Sequence, residues 1–137
     1  MVVGYEKELF FYLRDKFDVD LIVSTGWADE GSMASLALAG DALKDGGFVC
    51  AADHWFGENP FLGFEPDGRS VRMVREQDDA THEFIVDVAA DGRLSGMRSG
   101  ARSGTCMVGA AYLTPEFAGM LLAPWDKERS WVGARAL

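Results

Sequence analysis

"SMASLALAGDALKDGG", residues 32–47, decides the architecture of this chain. As a helix, Ser32 is its N-cap, Met33, Leu36, Ala37, Gly40 and Leu43 share one face, and Gly46 and Gly47 stop it. As a strand, "SLALAG" turns through "DALKDGG" into "FVCAAD" and joins a sheet. Its alanines and leucines favour the helix, so residues 32–44 are read as helical and the chain as mixed α+β.

On the N-terminal side, Glu6 to Phe17 reads as a helix, with Leu9, Leu13 and Phe17 at i, i+4, i+8 and Phe10, Phe11 and Tyr12 widening its apolar face. "VDLIVST" follows as a short strand from Val19 to Thr25. On the C-terminal side the punctuation is that of an antiparallel meander. "GFVCAAD" is a strand, "FLGFE" and "RSVRMVRE" form a hairpin through "PDG", "HEFIVDV" and "RLSGMR" form a second through "AADG", and "TCMVGAAYL" is the last strand. Alternation in "HEFIVDV" places His82, Phe84, Val86 and Val88 on the packed face. Thr114 as N-cap and Pro115 at the first helical position open a short helix ending before Pro124, and Trp125 and Trp131 need cover in the tail. The expectation is a single domain over residues 1–137: N-terminal helix, second helix, five- or six-strand antiparallel meander and short C-terminal helix.

Composition limits function more than it specifies it. The 137 residues carry a net charge of −9, a field that repels nucleic acid and anionic lipid. All of the asymmetry lies in residues 1–68, with four basic and thirteen acidic side chains; residues 69–137 carry nine of each. No apolar run is long enough to span a bilayer, and the N-terminus lacks the pattern of a secretory signal, so a cytoplasmic protein is expected. The only cysteines, Cys50 and Cys106, fit neither a CxxC pair nor a zinc spacing and read as buried free thiols. No cofactor motif is present, and two histidines without HxH or HxxxH spacing give no metal site.

Three stretches carry candidate chemistry. "RSGARSGT", residues 98–105, offers an anion nest in which Arg98, Arg102, Ser103 and Thr105 would bind a small anionic ligand, but its position suits the turn before the last strand. It lacks the GxxxxGK[ST] spacing of a phosphate loop. "CAADHWFGENPF", residues 50–61, offers Asp53, His54 and Glu58 as acid/base candidates and Trp55 as a ring surface for a ligand. In "STGWADEGSMASL", residues 24–36, Trp27, Asp29 and Ser32 resemble the first-strand pattern of the avidin family. The short Trp27 to Gly31 spacing and the preceding helix depart from that pattern, so the stretch is read as a strand-to-helix loop with acidic residues near a helix N-terminus.

The reading taken is a small acidic, non-enzymatic binding or assembly module of the bacterial or phage accessory type, whose acidic half meets a protein partner; the aromatic helix and a sheet edge leave a homodimer open. The alternative is a pocket for a small anionic ligand, or a small enzyme, using Asp53, His54 and Glu58 with Arg98 and Arg102 as anion clamps.

Overall fold

A computed structural model of the chain describes residues 1–79, 83–99 and 103–135, with side chains as far as Trp125. Two compact units are present, one formed by residues 1–47 and the chain from Thr114 onward, the other by Phe48–Leu113.

In the first unit, β1 (Val2–Val3) pairs in parallel with β2 (Ile22–Val23). The amides of Ile22 and Ser24 reach the carbonyls of Met1 and Val3 at 2.9 and 2.8 Å, which reduces the expected strand from Val19 to Thr25 to its centre. The expected helix from Glu6 to Phe17 is broken into a 3-10 turn (Lys7–Phe10) and α1 (Tyr12–Phe17). Phe10, Phe11 and Tyr12 are consecutive aromatics, each restricted against the preceding turn, and the tighter turn begins at Glu6 in the left-handed region. The apolar face of that helix packs only at its middle: Leu13 is half-buried, whereas Leu9 and Phe17 are 64% and 58% exposed.

The deciding stretch is helical. α2 spans Ser32–Leu38, and a 3-10 turn follows over Gly40–Leu43, with Ala34, Ala37 and Leu43 buried. Its N-cap is Gly31, one residue before Ser32, and no side chain caps it. α3 runs Pro115–Arg135. Thr114 caps it as expected: its Oγ1 accepts from the Phe117 amide at 3.2 Å and its carbonyl from Ala118 at 2.9 Å. The helix does not stop before Pro124 but continues through it. Proline forfeits one ladder bond, and Met120, Leu121, Leu122 and Ala123 before it are strong helix formers. The side chain of Trp131 lies outside the described residues; Trp125 is half-buried.

The second unit is a five-stranded sheet of β3 (Gly47–Cys50), β4 (Val71–Gln77), β5 (Ile85–Val88), β6 (Leu94–Arg98) and β7 (Gly104–Leu113). Its topology is not the expected meander, because β7, last in sequence, is central and pairs with β3, β4 and β5. β7 alone is apolar on both faces, with Cys106, Ala110, Ala111 and Leu113 buried, so the middle of the sheet is where it buries most surface. Among the described strands of this sheet, only the β5–β6 hairpin joins sequence neighbours, closed by Ala89 and Arg93 around Gly92 at φ 81.

"FLGFE" is not a strand. Pro60 has no amide to donate, Gly63 sits at φ 76, and the rings of Phe61 and Phe64 pack on Phe48 at 4.4 and 5.2 Å. β4 therefore pairs with β7, Val71 opposite Tyr112 and Gln77 opposite Gly104. In β5 both Ile85 and Val86 are buried while Phe84 and Val88 are about half exposed, against the expected alternation, because Ile85 lies opposite the fully buried Cys106; His82 lies outside the described residues. Chain and structure together give a mixed α+β fold.

Candidate active site

The turn that leaves β3 brings two of the sequence candidates, Asp53 and His54, into hydrogen-bond contact. The Ala51 amide donates to the Gly109 carbonyl of β7 at 2.7 Å, and the His54 amide then folds back to the Ala51 carbonyl at 3.2 Å. This short closed turn carries Asp53 outward, 87% exposed, and lays the His54 ring, 31% exposed, against β7. His54 Nε2 accepts the backbone N–H of Gly109 at 3.3 Å, and Nδ1 lies 3.1 Å from Asp53 Oδ1. A nitrogen that accepts cannot carry a proton, so the Gly109 contact assigns the neutral Nδ1–H tautomer, which donates to the Asp53 carboxylate.

Gly109 is the residue that the sequence reading missed. A Cβ there would lie 2.6 Å from His54 Cε1 and 2.8 Å from the Ala51 Cβ, so only glycine lets the ring close on the strand. An isolated glycine inside an apolar strand pattern is the signal that could have found it, since it marks a close approach.

The rest of the 50–61 stretch surrounds this pair. Trp55 is 87% exposed, Glu58 is exposed, and Phe56 stacks beside His54 with centroids 6.2 Å apart and meets Phe61 at 6.1 Å. Cys50 is exposed and Cys106 buried, both free, so only one of the two thiols is in the core as expected.

The arginine-rich stretch is placed differently. Arg98 ends β6 and binds Asp87 Oδ1 of β5 at 2.6 Å, a cross-strand pair exposed on both sides. Thr105, second residue of β7, donates to Glu76 Oε1 of β4 at 2.6 Å. Ser103 is exposed, and Arg102 lies outside the described residues. Among the described residues no hydrogen bond or ion pair joins Asp53, His54 or Glu58 to Arg98, Ser103 or Thr105. In the same unit the Arg69 side chain, donating to Asp67, holds that carboxyl below its ordinary pKa.

Two recesses among the described residues are not lined by Asp53, His54 or Glu58. One of about 300 Å³ lies in the first unit against Ala37, Leu43, Ala118 and Leu122; one of about 150 Å³ lies among Phe48, Phe61, Phe64 and Tyr112 with Arg72 at its edge. Among the described residues no cluster of three or more His, Cys, Asp or Glu side chains could hold a metal ion, and no helix is long and apolar enough to cross a membrane.

No protein-family model matches the chain. It is 28% identical over 116 residues to the 2-aminoethylphosphonate cytidylyltransferase of Lancefieldella rimae, a span covering 83% of this chain and 47% of that protein. It is 26% identical over 127 residues to the choline-phosphate cytidylyltransferase of Streptococcus pneumoniae, covering 93% and 54% respectively. Its fold is similar to the solved structure of the CTP:phosphocholine cytidylyltransferase from Streptococcus pneumoniae, with a TM-score of 0.83 and 26% identity over 97% of this chain and 56% of that one. The chain spans about half the length of the relatives it matches. These likenesses overturn the expectation of a non-enzymatic module that binds a protein partner: the proteins that this chain resembles in sequence and in fold are cytidylyltransferases, which fits the small-enzyme alternative.

Proposed function

We propose that this chain forms part of a cytidylyltransferase that joins CMP to a small phosphate or phosphonate bearing an amine or ammonium group. The observation that carries the reading is the fold likeness over 97% of the chain, supported by sequence likeness to two enzymes of the same reaction class. In that reaction an oxygen of the phosphate or phosphonate attacks the α-phosphorus of CTP. The bond from that phosphorus to the bridging oxygen of the β-phosphate breaks, and pyrophosphate leaves with the electron pair. Such transfers depend on positioning and on electrostatic stabilisation more than on covalent participation by the protein.

Asp53 supports the reading as a carboxylate that is both exposed and held, and Trp55 beside it offers a ring face to a base or an alkylammonium group.

Isothermal titration of the chain with CTP, ATP, phosphocholine and 2-aminoethylphosphonate tests the reading. Binding of CTP in preference to ATP, or of either zwitterion in preference to inorganic phosphate, is the expected result. Absence of binding by all four at millimolar concentration refutes it.

A further inference from the structure

The Gly109 backbone is satisfied in an unusual way. Its carbonyl takes the Ala51 amide, an ordinary ladder bond, but its N–H is given to a side chain, the His54 imidazole, rather than to a strand neighbour. His54 therefore has its Nε2 committed to β7, the most buried strand of the sheet, and its Nδ1–H free to point in only one direction. That direction is Asp53 Oδ1, 3.1 Å away. Asp53 is otherwise a short side chain at 87% exposure on a turn, a setting in which χ1 would ordinarily average among its staggered wells.

We propose that His54 is the positioning residue of this site: seated on Gly109 as the neutral Nδ1–H tautomer, it fixes the Asp53 carboxylate in the rotamer that meets substrate. Taking Asp53 as the side chain that meets substrate rests on the cytidylyltransferase reading; the seating of His54 and the locking of Asp53 do not. The closed turn from Ala51 to His54, the committed Nε2 and the glycine required beneath the ring are three separate features, and each serves the same end. A histidine retained only to fill space would need neither the backbone N–H at Nε2 nor the carboxylate at Nδ1. An exposed ion pair would not need the missing Cβ at position 109.

The test is made by NMR on the whole chain without ligand. Long-range proton–nitrogen correlation of the imidazoles reads the tautomer, and the α–β couplings of Asp53 read its χ1. The chain has two histidines, and the His54 signals are those absent from His54→Ala. Expected are a protonated Nδ1 and an unprotonated Nε2 for His54, the minor tautomer of an unconstrained imidazole, and one dominant χ1 rotamer for Asp53 that averages in His54→Ala. Gly109→Ala should lose both signatures together, and His54→Ala keeps the test decisive if that variant does not fold. An Nε2–H tautomer, an averaged Asp53 in the unmodified chain, or an Asp53 rotamer unchanged in His54→Ala would each overturn the proposal. Both signatures intact in a chain that binds no CTP, phosphocholine or 2-aminoethylphosphonate would refute the enzymatic reading while leaving the positioning of Asp53 standing.

Discussion

Gly109→Ala is the substitution whose cost the structure fixes most tightly. The added methyl would meet His54 Cε1 at 2.6 Å and Ala51 Cβ at 2.8 Å, closer than real methyl contacts, and His54 Nδ1 at 3.0 Å, a tight one. The imidazole is the movable part, being 31% exposed, and Ala51 is the part that cannot move without straining its 2.7 Å bond to the Gly109 carbonyl. Overpacking of this kind costs about 1–3 kcal/mol, and expulsion of the ring adds loss of one backbone-to-side-chain hydrogen bond, about 1 kcal/mol. The expected loss is therefore about 2–4 kcal/mol, or roughly 6–15 °C in Tm for a domain of this size. A double-mutant cycle with His54→Ala separates the two terms. With the ring gone only the Ala51 clash remains, so Gly109→Ala should cost about 1 kcal/mol less in that background, well within the range of coupling between touching residues. Urea denaturation of the four proteins measures it. Strict additivity, or a Gly109→Ala variant as stable as the parent, would show that the ring does not rest on the strand.

Four further outcomes follow from single contacts. Thr114→Ala removes the cap that accepts from the Phe117 amide at 3.2 Å and should cost about 1 kcal/mol by thermal unfolding. Ser24→Ala should be neutral or stabilising, because the Ser24 hydroxyl is buried with no hydrogen-bond partner among the described residues and such a group costs about 1–3 kcal/mol; a clear loss of stability would mean that the hydroxyl has a partner. Arg98→Ala should cost under about 1 kcal/mol and less at high salt, since its pair with Asp87 is exposed on both sides. Asp67 has its pKa lowered chiefly by the side-chain hydrogen bond from Arg69, so the pair's contribution is present at neutral pH and lost as pH falls through that lowered value; Asp67→Asn should flatten stability against pH on the acid side and leave the neutral-to-alkaline side unchanged.

Local chemistry was legible in the sequence and long-range pairing was not. The helix at residues 32–38, the Thr114 cap and the β5–β6 hairpin each follow from signals within about ten residues, propensity, capping and a glycine turn. The order of the sheet does not, because nothing local marks β7 as the central strand except that both its faces are apolar, a pattern that buried strands and buried helices share. "FLGFE" misled for the opposite reason: its aromatics suit a strand by propensity but are used to cover Phe48 and Tyr112 from a turn. At the site, Asp53 and His54 stood out by residue type, whereas their anchor lies 55 positions from His54, where only an isolated glycine hinted at a close approach. Charge asymmetry favoured a protein partner and led away from catalysis, since net charge bears on solubility and association rather than on what a site does.

The most direct test of the account is an amide chemical-shift titration of the isotopically labelled chain with CTP and then 2-aminoethylphosphonate. The prediction is that the largest shifts fall on residues 51–58 and on Gly109, and that Asp53→Ala abolishes them while leaving the remaining spectrum in place. Shifts confined to residues 94–105, or no saturable shift at all, would contradict a nucleotidyl-transfer site built on Asp53.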